Sequence, residues 1–164
     1  MIPIDKEYRQ SDWNQAKQNL LAEMLAINHP DARIVDSRAE IDPQTREARL
    51  FVHYDAGPSY RFGQLNITGL HRYSPGLVGR YTEEVQPGKP YRAESLMRLA
   101  IKLSATPYFA TARAELDREN VDFATDGTAT AAVNLRVRER PGHRAGFGAG
   151  ISSNTGLRVE ANYH

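Results

Sequence analysis

The chain has 164 residues, enough for one ordinary domain or two small ones, and 40% of them are hydrophobic. Its formal net charge of +1, from 21 basic and 20 acidic residues spread along the chain, supplies no concentrated basic face for nucleic acid, and the absence of cysteine excludes disulfides and thiol chemistry. No apolar run approaches the roughly 20 residues of a membrane helix, and Met1 is followed by IPIDKEYRQ rather than by the apolar stretch of a signal peptide.

The first predicted element is a helix over SDWNQAKQNLLAEMLAIN. Ser11 or Asp12 is placed to cap it. Trp13, Ala16, Leu20, Leu21, Met24 and Leu25 recur at three- and four-residue spacing and form one apolar face. His29-Pro30 stops the helix by Asn28, because the residue before a proline disfavours helical geometry. Two strand-like runs follow, ARIVDSRAEID and REARLFVHYDAG, joined by a turn at DPQT. In the second run Ala48, Leu50, Val52 and Tyr54 share one face, with Arg49, Phe51, His53 and Asp55 on the other. Together these segments predict a hairpin packed on a helix.

The stretch GPSYRFGQLNITG, Gly57 to Gly69, carries three glycines. Tyr60 and Phe62 sit two apart, as do Leu65 and Ile67, but the two pairs are out of phase by one residue. Side chains of a strand alternate with period two, so a slip at Gly63 predicts a bulge. The segment is therefore a bent strand, reached through Gly57-Pro58 and left at Gly69. A short helix is predicted over YSPGLVGRYTEEV and a turn over QPGKPY. A second helix follows over RAESLMRLAIKLSA, with Leu96, Leu99, Ala100 and Leu103 as its stripe. TPYF breaks it. The strand candidates ATARAELDREN and TATAAVNLRVRER come next, the latter alternating Ala131, Val133, Leu135 and Val137 against Ala132, Asn134, Arg136 and Arg138.

The helix–strand–strand order thus occurs twice, and GPSYRFG aligns with GHRAGFG at Gly142 to Gly148. Two copies of one strand–helix–helix–strand–strand module are predicted, the first lacking its opening strand and first helix. The expected boundaries are residues 1–57 for the partial copy, 58–141 for the complete one and 142–164 for a further hairpin. In that hairpin Gly146, Gly148 and Gly150 alternate with Phe147, Ala149 and Ile151. After a turn at SNTG, Leu157, Val159, Ala161 and Tyr163 alternate with Arg158, Glu160 and Asn162. A transmembrane β-barrel uses this pattern, and so does a half-exposed hairpin of a soluble sheet.

Chemistry finds little support. GFGAG would need to open a helix to bind a dinucleotide, and the residues after it alternate like a strand. His29, His53, His71, His143 and His164 lack the spacing of metal ligands. No nucleophile elbow or paired-histidine motif occurs, and Glu83-Glu84 and Asp117 with Glu119 are assigned to solvated positions. No catalytic, cofactor or metal residue is assigned, and an enzyme is not expected. Binding is the better expectation, because a three-stranded sheet with helices on one face exposes edge strands that can accept a strand from a partner. Ala112, Arg113, Ala114, Glu115 and Leu116 form the candidate edge. The opposing expectation is an edge blunted by Arg113 and Glu115 that binds nothing.

The succession YDAGPSYRFGQLNITG, QPGKPY, LSATPYF, AAVNLRVRERP and GFGAGISSNTGLRVEANY resembles the polypeptide-transport-associated (POTRA) repeats and first barrel strands of the Omp85 superfamily. Within it the chain resembles the TamA-like outer-membrane subunits of translocation and assembly modules. Gly57, Pro58, Tyr60 and Gly63 match the joint that ends a repeat, and Gly88 to Tyr91 match the turn before the second helix. Tyr108 and Phe109 match the pair that closes that helix, and Thr155-Gly156 matches the first barrel turn.

The resemblance implies an α+β fold of tandem POTRA modules. Each has the order β-α-α-β-β, a three-stranded sheet with two helices on one face. The first module is truncated, and the first hairpin of a transmembrane β-barrel follows the second. Gly57, Pro58, Tyr60, Phe62 and Gly63 would form the inter-repeat joint, and Phe147, Gly148, Ala149, Gly150 and Ile151 the first barrel strand. The implied role is the periplasmic portion of an outer-membrane protein assembly or autotransporter secretion factor. Its implied partners are a TamB-like protein anchored in the inner membrane, client outer-membrane proteins or autotransporters, and the outer membrane itself through the rest of a barrel. No cofactor and no nucleic acid are implied. A two-partner secretion transporter and a purely structural periplasmic spacer are the alternatives.

Overall fold

The computed structural model describes residues 8–141, together with the backbone of two later strands over 145–152 and 156–163. Helix α1 spans Gln10–Ala26 and precedes an antiparallel hairpin of β1, Arg33–Asp42, and β2, Glu47–Asp55. The predicted cap is not used. Helix α1 starts at Gln10, ahead of both candidates, after an extended Arg9 with no side-chain cap bond, and the Ser11 hydroxyl bonds Asp12. The hairpin is tied to α1 by the Tyr54 hydroxyl, which donates to the Lys17 carbonyl at 3.1 Å, and by Lys17 Nζ donating to Ser37 Oγ at 3.0 Å. Trp13 of the helix is buried, whereas Leu20 of the predicted stripe is 44% exposed. A sheet of two strands is too narrow to cover the whole stripe. The predicted inner face of β2 is borne out, since Ala48, Leu50, Val52 and Tyr54 are half-buried and alternate with exposed Glu47, Arg49, Phe51 and His53.

The main core lies in the second part. Strand β3, Tyr60–Thr68, helix α2, Pro75–Gly79, and helix α3, Ala93–Ser104, precede the long strands β4, Phe109–Phe123, and β5, Ala129–Glu139. The predicted single helix over 73–85 is instead α2 and a separate 3-10 turn, Glu83–Val85. The sheet order is β3-β5-β4, with β5 central, parallel to β3 and antiparallel to β4. Ala131, Val133, Leu135 and Val137 turn one face of β5 toward the helices, and Leu96, Leu99 and Leu103 of α3 are buried against it. Phe62 and Phe109 are wholly buried in this core, each contributing about 1.5–3 kcal/mol by burial.

The bend predicted in β3 is present. Phe62 pairs with Ala131 and Leu65 with Val133, so two residues of β3 oppose one of β5. The slip lets Tyr60, Phe62, Leu65 and Ile67 all face the core although the pairs are out of phase. Gly63 sits at the slip because a Cβ there would lie 3.0 Å from the Ala131 carbonyl. Beyond the core, β6, Ala145–Ser152, pairs antiparallel with β7, Gly156–Tyr163, in a register from Ala145 opposite Tyr163 to Ser152 opposite Gly156. The pairing agrees with the expected hairpin. The side chains of Phe147, Ala149 and Ile151, the start of the GHRAGFG copy and Thr155 of the turn lie outside the described residues.

Candidate functional site

A strand at the rim of a sheet either covers its outward N–H and C=O groups or offers them. The two rims of the β3-β5-β4 sheet differ in this respect. The start of β3 is covered by the turn after the 3-10 segment: Phe62 N–H donates to Lys89 O at 2.9 Å, Gly88 N–H to Phe62 O at 2.7 Å and Tyr91 N–H to Tyr60 O at 2.9 Å. Gly88 has φ of 85°, as the turn requires. At the other rim, the Ala112 N–H points away from β5 and donates to Ser104 Oγ at 3.0 Å. Backbone groups of an antiparallel strand alternate sides. Ala114 and Leu116, in unbroken register with Ala112, therefore aim their N–H and C=O groups at the open side as well. The predicted edge at Ala112 to Leu116 is thus an edge in the fold.

A groove of about 900 Å³ runs along it. Ala114 and Leu116 of β4 form one wall, Leu96 and Met97 of α3 another, and Leu25 and Pro30 close one end. Met97 is 57% exposed, an apolar side chain left facing water beside the edge. Arg113 Nε and Glu115 Oε1 form an exposed ion pair at 2.6 Å, Glu115 being also part of the groove's lining, worth about 0–1 kcal/mol. The edge ends in an irregularity between Leu116 and Val121. There Asp117 Oδ1 accepts from the N–H groups of Glu119 and Asn120 at 3.1 and 3.2 Å. The Asn120 side chain and these N–H groups hold the Asp117 carboxyl below its usual range.

The predicted joint divides between two tasks. Tyr60 ties the N-terminal segment to the sheet, whereas Gly57, at φ of 64°, packs beside Asp31 within that segment. The Tyr60 hydroxyl donates to Asp31 Oδ2 at 2.6 Å. Burial, reinforced by that carboxylate, pushes the phenol up to about 12. Arg118, in the irregularity of β4, donates to the Pro30 carbonyl at 3.2 Å and to Asp31 Oδ1 at 3.3 Å. Asn28 completes a backbone node, its N–H donating to Tyr91 O at 3.0 Å and its carbonyl accepting from Tyr60 N–H at 2.7 Å. Phe62 and Gly63 are not at this contact. Phe62 stacks edge-on against Tyr91 in the core at 5.8 Å between centroids, and Gly63 serves the close approach of β3 to β5. Asn28, Asp31 and Arg118 were not singled out from the sequence. The signal for Asn28 was its position at the end of a helix, where its φ of 61° suits asparagine, but nothing local pairs Asp31 with Arg118.

Glu139, at the end of β5, holds a second loop. Its carboxylate accepts from the N–H groups of His71, Arg72 and Tyr73 at 2.8 to 3.1 Å and from Arg72 Nε at 3.2 Å. Burial opposes ionisation, but these donors overcome it and hold the carboxyl at about 2. Its side chain is 7% exposed. The perturbed acid therefore serves loop anchoring. Among the described residues, no three His, Cys, Asp or Glu side chains converge as metal ligands would, and no helix is long and apolar enough to cross a membrane.

No protein-family model and no curated protein matches the sequence. Solved structures do match. The structure is similar to BamA from Haemophilus ducreyi lacking POTRA domains 1-3, with a TM-score of 0.62 and 14% identity over 98% of this chain and 29% of that one. It is also similar to POTRA3-5 of Haemophilus influenzae BamA, with a TM-score of 0.52 and 19% identity over 84% of this chain and 52% of that one. The chain thus spans between a quarter and about half of the length of these structures. At such identities the likeness is one of fold, and the mixed α+β order built around the β3-β5-β4 sheet is that of POTRA-bearing chains.

Proposed function

We propose that this chain is the periplasmic POTRA portion of an outer-membrane protein assembly factor of the TamA-like kind, and that it docks client β-strands on the rim of β4. The observation that carries this reading is the outward-facing backbone of Ala114 and Leu116 in a groove that Leu96 and Met97 line on the helix side and Asp117, Arg118, Asn134 and Arg136 line elsewhere. Only an extended chain complements such a row of alternating donors and acceptors, and its affinity then comes from main-chain hydrogen bonds rather than from one sequence. Residues 1–57 are a partial repeat, 58–141 a complete one and 142–164 the opening hairpin of a barrel. Support for the division lies in the order helix, strand, antiparallel strand, which α1-β1-β2 shares with α3-β4-β5. Clients would be outer-membrane proteins or autotransporters, and a TamB-like protein would be the inner-membrane partner. The first barrel strand, Ala145 to Ser152, is a second candidate for strand addition.

The test is a titration of the protein with a client β-strand peptide, followed by backbone-amide NMR. Shifts should concentrate on Ala112 to Leu116 and on the facing part of α3. Ala114→Pro should abolish them while the fold persists, because the lost N–H is not part of the β4–β5 ladder. Shifts confined to other surfaces would sink the reading. A structural spacer is the competing reading, and a specific observation favours it: Ser104 already occupies the Ala112 N–H, and the irregularity after Leu116 shortens the rim. A spacer requires client assembly to proceed unchanged in Ala114→Pro.

A further inference from the structure

The groove beside β4 is not built by the sheet and its helices alone. Leu25, from the last turn of α1, and Pro30, from the loop that follows, close the end toward which β4 runs past Leu116. Pro30 is buried, and Leu25 is half-buried. Their position is fixed by a dense set of bonds. Asn28 bridges Tyr60 and Tyr91 through its backbone, Ile27 pairs with Arg92, and Asp31 receives both the Tyr60 hydroxyl and the Arg118 guanidinium. Arg118 belongs to the irregularity that ends the open edge, so the residue that terminates the rim also grips the N-terminal segment.

We propose that the groove is a two-part receptor for an extended polypeptide strand. The β4 rim binds the strand's first residues through the backbone, and the α1 end, with Leu25 and Pro30, binds the residues that run past Leu116. This rests on the reading that β4 accepts strands, and it adds a length requirement that a rim alone would not impose. A strand rises about 3.3 Å per residue, so a peptide of roughly five residues is used up between Ala112 and Leu116, while one of roughly ten reaches the α1 end. An occupant that alternates apolar and polar residues fits best. One set of its side chains lies on the helix side against Met97 and Leu25, and the other faces Arg113 and Glu115. Because the α1 end is held by the Asp31 node, tight binding of a long strand and the integrity of that node support each other.

The experiment uses the whole chain and two blocked synthetic peptides that alternate valine with threonine and lysine, one of five residues and one of ten, titrated by backbone-amide NMR. In the wild type both should shift the amides of Ala112 to Leu116, and only the longer one should also shift those of Leu25 to Asp31. Leu25→Ala should weaken the longer peptide about fivefold and change the shorter by less than twofold. Asp31→Ala, with Tyr60→Phe as the milder variant that keeps the buried ring, should show the same selectivity for length. If both peptides bind and every one of these variants affects them equally or not at all, the two-part receptor is overturned while strand addition stands. If neither peptide touches the rim in the wild type, strand addition and the two-part receptor fall together.

Discussion

Gly69 stands where β3 leaves the sheet, at φ of 88°, and a Cβ built there would lie 1.9 Å from the Val137 carbonyl oxygen. Neither the backbone nor the ladder atom it would strike can move cheaply. Gly69→Ala should therefore cost roughly 2–4 kcal/mol in a urea unfolding experiment. Gly88 supplies the contrast, since it also has positive φ but nothing lies within 4 Å of its missing Cβ. Alanine there should cost only the backbone penalty, about 1 kcal/mol. Glu139 makes the other residue-scale prediction. Its folded carboxyl sits at about 2 against an ordinary 4.5, so the folded state prefers it ionised. That contribution is fully present above the ordinary value and is lost as pH falls toward 2. Urea melts of wild type and Glu139→Gln should differ at pH 6 and converge as pH is lowered through this window. A gap that stays constant with pH would show that the carboxylate is not what holds the 71–73 loop.

Elements with strong period were legible from the sequence, and elements decided by distant partners were not. The alternation Ala131, Val133, Leu135, Val137 marked the central strand because it packs against helices on one face only. The stripe of α3 was equally clear, with Leu96, Leu99 and Leu103 buried. Helix α1 was visible, but its face is covered only in part, and a stripe does not state how wide its partner sheet will be. The irregularity at 117–120 was hidden because it is set by Asp117 bonding its own neighbours rather than by any break in hydrophobic pattern. The parallel partnership of β3 with β5 joins residues far apart in the chain, which no local window reports. The edge position of β4 could be anticipated, but Ser104 reaching over to cap Ala112 could not. That contact makes an element-scale prediction. Ser104→Ala should cost about 1 kcal/mol of stability and, by freeing the Ala112 N–H, should tighten strand-peptide binding about two- to fivefold. Weaker binding in this variant would mean that Ser104 shapes the rim rather than masking it.

At the scale of the molecule, the question is what fixes the α1–hairpin segment against the β3-β5-β4 sheet. The glycine-rich stretch pointed to the right neighbourhood, because Tyr60 is at the contact. It gave no view of the other side, where Asn28, Asp31 and Arg118 are supplied by segments on either flank. The Arg118–Asp31 pair is substantially exposed, at 58% and 37%, so it contributes about 0–1 kcal/mol. The weight falls on the backbone node and on the buried Tyr60 ring with its 2.6 Å bond to Asp31. This leads to an alkaline signature. The folded phenol titrates at about 12 and an ordinary one at 10. The folded state therefore prefers Tyr60 protonated; the stabilisation is complete below pH 10 and declines as pH rises toward 12. Tyr54 and Tyr91, whose phenols burial also raises, are present in both proteins of the comparison. The stability of wild type minus that of Tyr60→Phe should accordingly be flat from pH 7 to 10 and fall between 10 and 12. A difference that stays flat to pH 12 would place the Tyr60 hydroxyl in water rather than on Asp31, and would leave the backbone node alone to hold the contact.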